Sequence, residues 1–323
     1  VLGAEFMRQK LLGLVLCALA APLQAETLSI MSFNIFGGGA SDGKPVDETL
    51  AVIRAMDPDI VGLQETRLIS EICEAEYCPA DGASAAAVLA AELGYYYYEQ
   101  TQENVALWSN AVISRYPIIG QSNNDLGVQI DVNGTEIWLF NIQLDDEPYQ
   151  PYQALGIEYG PAPFVYTEPE LIKWATRTRS PALDLLFADF TKPGDAIIII
   201  TGDFGEPSAL DWTEATVEAG LHPLAVQWPT TQRLADAGFV DAYRAIWPDP
   251  LEKPAFTWTP RWTTEDDPED HHDRIDYIFV RGATDRPVTV REAAIVGEPG
   301  IRSDIIIEPW PSDHRAVFAI VEF

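Results

Sequence analysis

Ala196-Ile197-Ile198-Ile199-Ile200-Thr201-Gly202-Asp203-Phe204 runs from an unbroken apolar stretch straight into a carboxylate. An Ile-rich, β-branched run of this length reads as a buried strand. A carboxylate at its end is costly to bury unless it is paired or metal-bound. The pattern recurs along the chain. Phe33-Asn34-Ile35 closes an apolar run that begins at Thr27, and Leu63-Gln64-Glu65 closes another that begins at Asp59. Asp273-Arg274-Ile275-Asp276-Tyr277 leads into a strand over 275–280, and Ser312-Asp313-His314 into the last one, over 315–323. Together the five segments offer carboxylates, an amide and one imidazole. That set can hold a hard divalent cation and polarise a phosphate.

Between these segments the pattern predicts helices and further strands. Gly37-Gly38-Gly39 turns the chain after the first strand. Asp47 is placed to cap a helix that runs through Met56 and stops at Asp57-Pro58. An Ala-rich helix over 83–93 ends at Gly94, and strands follow at 95–99, 105–114 and 136–144. Residues 145–168 read as a long loop rich in Pro and Tyr, a type often functional in compact domains. Tyr149, Tyr152, Tyr159, Phe164 and Tyr166 either wall a pocket there or pack on one another. A helix over 170–190 carries Arg177 and Arg179, which can reach a phosphate or lie on the helix surface. Ser208 with Asp211 is expected to cap the next helix. Strands and helices alternate too irregularly for a simple doubly wound sheet.

The N-terminal residues read as processing signal. Met7-Arg8-Gln9-Lys10 is basic, and residues 11–21 are apolar but too short to span a bilayer comfortably. Small-x-small cleavage sites lie at Ala18-Leu19-Ala20 and at Ala25. Residues 1–6 read as a vector-derived scar, so 1–25 are scar plus signal peptide, and 26–323 are one catalytic domain in a secreted or periplasmic protein. No second long apolar segment follows. The full chain carries −30. Residues 1–25 hold Glu5, Arg8 and Lys10, a net +1, which leaves −31 on the rest. Binding a polyanion calls for a basic patch, so this charge turns the expected substrate away from long nucleic acid. Cys73 and Cys78 flank a short polar stretch, and an exported chain is expected to join them as a disulfide. Residues 265–273, with His271 and His272, read as a solvated acidic loop ahead of a structural cation site.

The five segments, in this order, resemble the endonuclease/exonuclease/phosphatase superfamily, the deoxyribonuclease I-like metal-dependent phosphoesterases. The resemblance runs from about Leu28 to Phe323. It implies an α/β fold, a four-layer α/β/β/α sandwich of two mixed β-sheets with the site at one end. It implies that Glu65 and Asn34 hold Mg²⁺ or Mn²⁺, with Ca²⁺ as a further candidate. It implies that Asp276 orients His314 and supports its charged form. Asp313 becomes a metal ligand or a water-orienting carboxylate, and Asp203 a water-positioning group or a ligand of a second ion. From the residues alone, Glu65 can instead pair with Arg67 or Arg115, and Asn34 can be a turn residue.

Two positions depart from the family pattern. The resemblance puts Asn141 and the positions of Gln143 and Gly205 among the catalytic residues: Asn141 is present, but two residues later stands Gln143 where many members have His. Two residues after Asp203 stands Gly205 where Asn is common. Gln143 cannot exchange a proton near neutral pH, and loss of acid–base help costs on the order of 10²–10⁴-fold. The expected protein is a secreted phosphoesterase that attacks a small phosphodiester, a phosphomonoester or a lipid headgroup with a metal-assisted, in-line water. An extracellular nuclease of the same fold and a catalytically impaired phosphate-binding relative are the competing expectations.

Overall fold

The computed structural model describes residues 25–68, 82–260, 271–300 and 302–323. The signal-peptide reading, the Cys73–Cys78 pair and residues 265–270 of the acidic run lie outside them. The strands are β1 (Thr27–Asn34), β2 (Ile60–Gln64), β3 (Tyr96–Gln100), β4 (Asn110–Ser114), β5 (Ile118–Gln121), β6 (Gly127–Val132), β7 (Thr135–Gln143), β8 (Ile197–Asp203), β9 (Val240–Asp241), β10 (Asp276–Arg281), β11 (Thr289–Gly297), β12 (Ile305–Ile306) and β13 (Ala316–Glu322). The helices are α1 (Val46–Met56), α2 (Ala85–Leu93), α3 (Gln150–Leu155), α4 (Glu168–Asp189), α5 (Glu214–Glu218), α6 (Pro229–Asp236) and α7 (Ala242–Ile246).

Two sheets result. One has seven strands in the order β12-β11-β13-β1-β2-β4-β3, and the other six in the order β5-β6-β7-β8-β10-β9. Both are mixed: β1–β2 and β7–β8 run parallel, while β1–β13 and β8–β10 run antiparallel. Strand period fixes the layers. Leu28 and Ile30 of β1 meet Ile137, Leu139, Ile197, Ile199 and Ile278 between the sheets. Met31 and Phe33 point the other way, into a cluster with Leu50 and Ile53 of α1 and Leu89 of α2. On the far side, Phe140, Ile198 and Ile200 pack against Leu183 and Leu186 of α4 and Leu234 of α6. Helix, sheet, sheet, helix is the four-layer sandwich. Each fully buried Ile or Leu contributes roughly 1.5–3 kcal/mol, so these three clusters dominate the stability.

The same period stratifies the space between the sheets. Along β7, Ile137 and Leu139 are followed on the inner face by Asn141 and Gln143. Along β8, Ile197 and Ile199 are followed by Thr201 and Asp203. β10 starts at Asp276, paired with Asp203, and continues inward with Ile278 and Val280. The core thus changes from aliphatic, through amide and hydroxyl, to carboxylate toward one end. The sheets come close in the amide layer: a Cβ on Gly62 would lie 2.6 Å from Asn141 Oδ1 and would collide with Thr201.

Several local expectations shift. Val46–Met56 begins after Pro45 with no side-chain cap, and Asp47 sits in its first turn. The helix expected after Ser208 begins at Glu214. Thr213 caps it in a reciprocal arrangement with Thr216, and Asp211 is spent on Arg244 and Arg274. The long loop contains α3, with Pro151 in its first turn. Strands β5, β6, β9, β11 and β12 are additional to those read from the sequence.

Candidate active site

Six strand ends meet at the polar end of the sandwich. Asn34 closes β1 beside Gln64, Gln143 closes β7 beside Asp203, and Asp276 opens β10 opposite Asp203. Because β13 is antiparallel to β1, the Ser312–His314 turn before it arrives at the same end. Glu65 follows Gln64, so strand alternation would send it to the outer face. Its φ of 52° is in the left-handed region, rare for a non-glycine residue, and breaks that alternation. The carboxylate enters the cluster instead, where Asn34 Nδ2 donates to Oε1 at 2.9 Å and Gln143 Nε2 at 3.1 Å.

Asn34 also donates through Nδ2 to Asp203 Oδ2 at 3.0 Å, while its Oδ1 accepts the Phe36 N–H. One amide therefore bridges two carboxylates. Asp203 Oδ1 accepts the Gly205 N–H at 3.0 Å. His314 Nδ1 lies 2.9 Å from Asp276 Oδ2, and its Nε2 lies 3.7 Å from Asp203 Oδ2. Ser312 fastens this turn: its Oγ donates to the Asn34 carbonyl at 2.7 Å and accepts from the His314 N–H. The indole of Trp258 tilts over the imidazole, 6.4 Å between centroids.

Burial sets the electrostatics. It pushes Glu65 up to about 7, assisted by the charge of Asp313 and resisted by His314 and Asn34. It pushes Asp203 up to about 8. There Asp276 and Glu65 add to the rise, and His314 and the Gly205 N–H oppose it. Burial alone would lower His314, but Asp276 and Asp203 outweigh it and hold the ring well above the usual histidine range. The imidazole is charged at neutral pH, and the carboxylates beside it lack enough positive partner charge.

A hard divalent cation fits this shortage. Glu65 and Asp203 present carboxylate oxygens within 4.8 Å of each other, beside the His314 ring. Gln143 Oε1 is buried there with no hydrogen-bond partner. Oxygen donors of this kind suit Mg²⁺ or Mn²⁺. Glu65 is not paired with the alternatives raised by the sequence, since Arg67 goes to Glu99 at 3.1 Å and Arg115 to Asp57 at 2.6 Å.

Asn141 stands apart from this cluster. It is fully buried. Its Nδ2 donates to the carbonyls of Leu63 and Ala111 and to Gln100 Oε1, and its Oδ1 accepts from Gln64 and Thr201. Its hydrogen-bonding capacity is used in joining the two sheets, so we correct its assignment from catalysis to the amide layer below the site. Gly205 is likewise built in. Its φ is +53°, and a Cβ there would lie 3.0 Å from Asp146 Cβ and 3.2 Å from the Leu144 carbonyl.

The sequence reading missed several supports. Arg179 is fully buried rather than surface-exposed. It donates to the carbonyls of Phe204 and Gly205 and pairs with Glu206 at 3.3 Å, which clamps the turn after Asp203. Arg177 is exposed and lies over the Trp174 ring. Tyr149, Tyr152 and Tyr159 pack edge to face in series, and Trp258 connects them to His314. Tyr159 reaches Asp146 at 2.6 Å, while Phe164 and Tyr166 are largely exposed. A Pro- and Tyr-rich loop was the available signal for the ring series. Nothing local marked Arg179. His271, His272 and Asp273 are buried, which corrects the solvated-loop reading for those three residues.

Comparison with known proteins gives one consistent answer. The sequence pattern described as "Endonuclease/Exonuclease/phosphatase family" matches residues 31–314. An uncharacterized protein of Caenorhabditis elegans is 27% identical over 324 residues, 92% of this chain and 91% of that one. Among solved structures, an endonuclease/exonuclease/phosphatase from Beutenbergia cavernae superposes with a TM-score of 0.55 at 17% identity, over 92% of this chain and 72% of that one. A 3′ phosphatase from Neisseria bound to product DNA hairpin gives 0.51 at 16% identity, over 90% and 98%. At such identities these structures speak for the fold.

Proposed function

This chain belongs to the endonuclease/exonuclease/phosphatase family, and from that premise we propose that it is a divalent-metal-dependent phosphoesterase. Its substrate is a small phosphodiester, a phosphomonoester or a lipid headgroup. The carrying observation is the convergence of Glu65, Asp203 and His314, with Asp276 locked behind the imidazole at 2.9 Å. Glu65, with Asp313 and the oxygen of Asn34, would hold Mg²⁺ or Mn²⁺. The ion supplies neutralisation of charge on the phosphoryl oxygens.

The chain's own groups do the rest. Asp203 has one oxygen fixed by the Gly205 N–H and the other directed toward Asn34 and His314 Nε2. It is placed to orient the attacking water and take its proton as the new P–O bond forms. His314 gives its Nδ1–H to Asp276, which leaves Nε2–H for an anionic phosphoryl oxygen. As the bond to the leaving oxygen breaks, that oxygen needs a proton, and Gln143 cannot give one. The proton comes from His314 or solvent, which favours substrates with good leaving groups.

The charge of −30 supports small substrates over long nucleic acid. The basic and then apolar start of the chain supports export to the periplasm or beyond. Gln143 and Gly205 support a rebuilt site more than an impaired one, because Gln143 anchors Glu65 and the turn at Gly205 is closed by Asp146.

The test is hydrolysis of bis(p-nitrophenyl) phosphate, p-nitrophenyl phosphate and plasmid DNA with Mg²⁺, Mn²⁺ or EDTA. Metal-dependent turnover of a nitrophenyl ester that is lost in Glu65→Gln is the expected result. Full activity in EDTA would remove the metal from the reading. Cleavage of plasmid alone would replace it with the nuclease.

A further inference from the structure

A second group of ligand-type side chains lies outside the phosphoester site. His222, His271 and Asp273 present ligand atoms that all fall within 4.8 Å of one another. His222 comes from the turn after α5, and His271 and Asp273 from the segment just before β10. His222 is 7% exposed and Asp273 1% exposed. His222 Nδ1 is buried with no hydrogen-bond partner among the described residues, and His271 Nε2 lies 3.2 Å from Asp273 Oδ2. A buried nitrogen left in this way is expensive for an ordinary core.

The carboxylate between them is held from outside. Trp212 Nε1 donates to Asp273 Oδ1 at 2.9 Å, and the Tyr149 hydroxyl donates to Oδ2 at 2.7 Å. The ring of His222 stacks on Trp212, 4.4 Å between centroids and 16° from parallel. Aromatic groups that fix ligand orientation by hydrogen bond and stacking are typical supports of a metal site. Beside His222 and Asp273 lies a cavity of about 10 Å³, also lined by Asp211, Thr216, Phe256 and Arg274. That is room for about one water. Arg274 brings no uncompensated charge, since it is paired with Asp211 at 2.9 Å and Asp241 at 2.8 Å.

We propose that His222, His271 and Asp273 bind a zinc ion, with a water in the adjoining cavity as fourth ligand. Two imidazoles and one carboxylate favour zinc over Mg²⁺, which takes oxygen and keeps its waters. In a tetrahedral zinc site, bonds of about 2.0–2.1 Å place ligand atoms about 3.3 Å apart. The 3.2 Å between His271 Nε2 and Asp273 Oδ2 is such an edge. The ion would tie the turn at His222 to the segment whose backbone pairs with Trp258, and Trp258 pairs in turn with His314. The ion would brace the segment behind the phosphoester site.

The test is metal content by mass spectrometry, on the full chain grown with zinc and gel-filtered without chelator. Native protein and Glu65→Gln should each retain one zinc per chain, and His222→Gln and His271→Gln should lose it. Native protein that carries no zinc, even after incubation with zinc chloride, would overturn the proposal and leave the cavity to a water. Zinc that disappears in Glu65→Gln but persists in His222→Gln would also overturn it, because the ion would then belong to the phosphoester site. Should the histidine variants fail to fold, native protein loaded with Co²⁺ decides. An intense tetrahedral visible spectrum supports the site, and a weak octahedral one overturns it.

Discussion

The Glu65–Asp203–His314 cluster and the His222–His271–Asp273 cluster are both buried triads, yet their electrostatics run in opposite directions. In the first, burial and mutual repulsion drive carboxylates up to about 7 and about 8, and two acids hold His314 in its charged form. In the second, burial drives His222 down to about 4, and Asp273 is lowered to about 2 because His271, His222 and Tyr149 outweigh its own desolvation. One cluster has excess negative charge at an open strand end. The other has a burial-lowered His222 beside one carboxylate held by Trp212 and Tyr149. The difference lies in what surrounds them: backbone turns at converging strand ends, against the hydrogen bonds of Trp212 and Tyr149 and the ring of Trp212 stacked on His222. The first arrangement suits a hard cation and a moving proton, and the second suits a fixed ion.

The largest effect should come from breaking the charged imidazole. His314→Ala is expected to lower kcat by about 10²–10⁴-fold, and Asp276→Asn by a similar factor, because each works through the other. The double variant should cost little more than either single one. Losses that simply multiply would mean that the 2.9 Å contact between them carries no catalytic function.

The two clusters should next separate by pH. Glu65 and Asp203 have folded values above their unfolded ones. Their contribution to the stability of metal-free protein is therefore full below about pH 4 and is lost as pH rises through 7 to 8. His222 has a folded value below its unfolded 6.5, so its contribution is present above that pH and is lost as pH falls toward 4. Thermal melts of chelated protein should thus show two opposing slopes, each on the order of a few kcal/mol. Glu65→Gln should reduce the alkaline slope to the share of Asp203 and leave the acid one. Mg²⁺ should stabilise more at pH 8 than at pH 6, since it competes with protons for the carboxylates. If Glu65→Gln leaves the alkaline slope unchanged, the burial of Glu65 has been misjudged.

Much of this was legible because a strand alternates with period two. The apolar runs ending in Asn34, Asp203 and Glu65 exposed both the sheets and the chemistry, and five segments in order pointed to the sandwich. Strands β5 and β6 escaped because their partly exposed residues dilute the apolar signal. β11 was hidden by Arg291 and Glu292 beside a bulge. The depth of Asn141 could not be read at all. A buried amide and a catalytic amide look alike in sequence, and only the opposite sheet, with Gln64 and Leu63, decides. Arg179 was misleading for the same reason, since its partners lie more than twenty residues away.

Asn141 sharpens the comparison because it lies beneath the first cluster without belonging to it. Asn141→Ala removes the partner of the Leu63 and Ala111 carbonyls, of Gln100 Oε1 and of Gln64 Nε2 in a buried layer. A loss of about 2–4 kcal/mol in denaturant unfolding is expected, from unsatisfied groups plus a small cavity. Folded variant should retain kcat within a few-fold. A catalytic loss as deep as that of His314→Ala, with stability intact, would return Asn141 to the reaction.

The smallest effects concern Gly205 and Gln143, and their sign is what matters. If the site were a damaged copy of its family's pattern, Gly205→Asn and Gln143→His would raise the rate. The geometry argues otherwise. Asn tolerates a φ of +53° better than most residues, so the backbone turn itself can survive. Its Cβ, however, would press on Asp146 and on the Leu144 carbonyl. Asp146 in turn holds Tyr159 at the edge of the aromatic series. Gln143→His replaces an amide that donates to Glu65 Oε1 at 3.1 Å with a ring of different reach. Each change should therefore lower kcat by a few-fold on both activated and unactivated phosphodiesters. The double variant should not exceed the native rate on the substrate with the poorer leaving group. A clear gain confined to that substrate would show that a missing proton donor limits this enzyme, and that Gln143 is a loss the rest of the site has not absorbed.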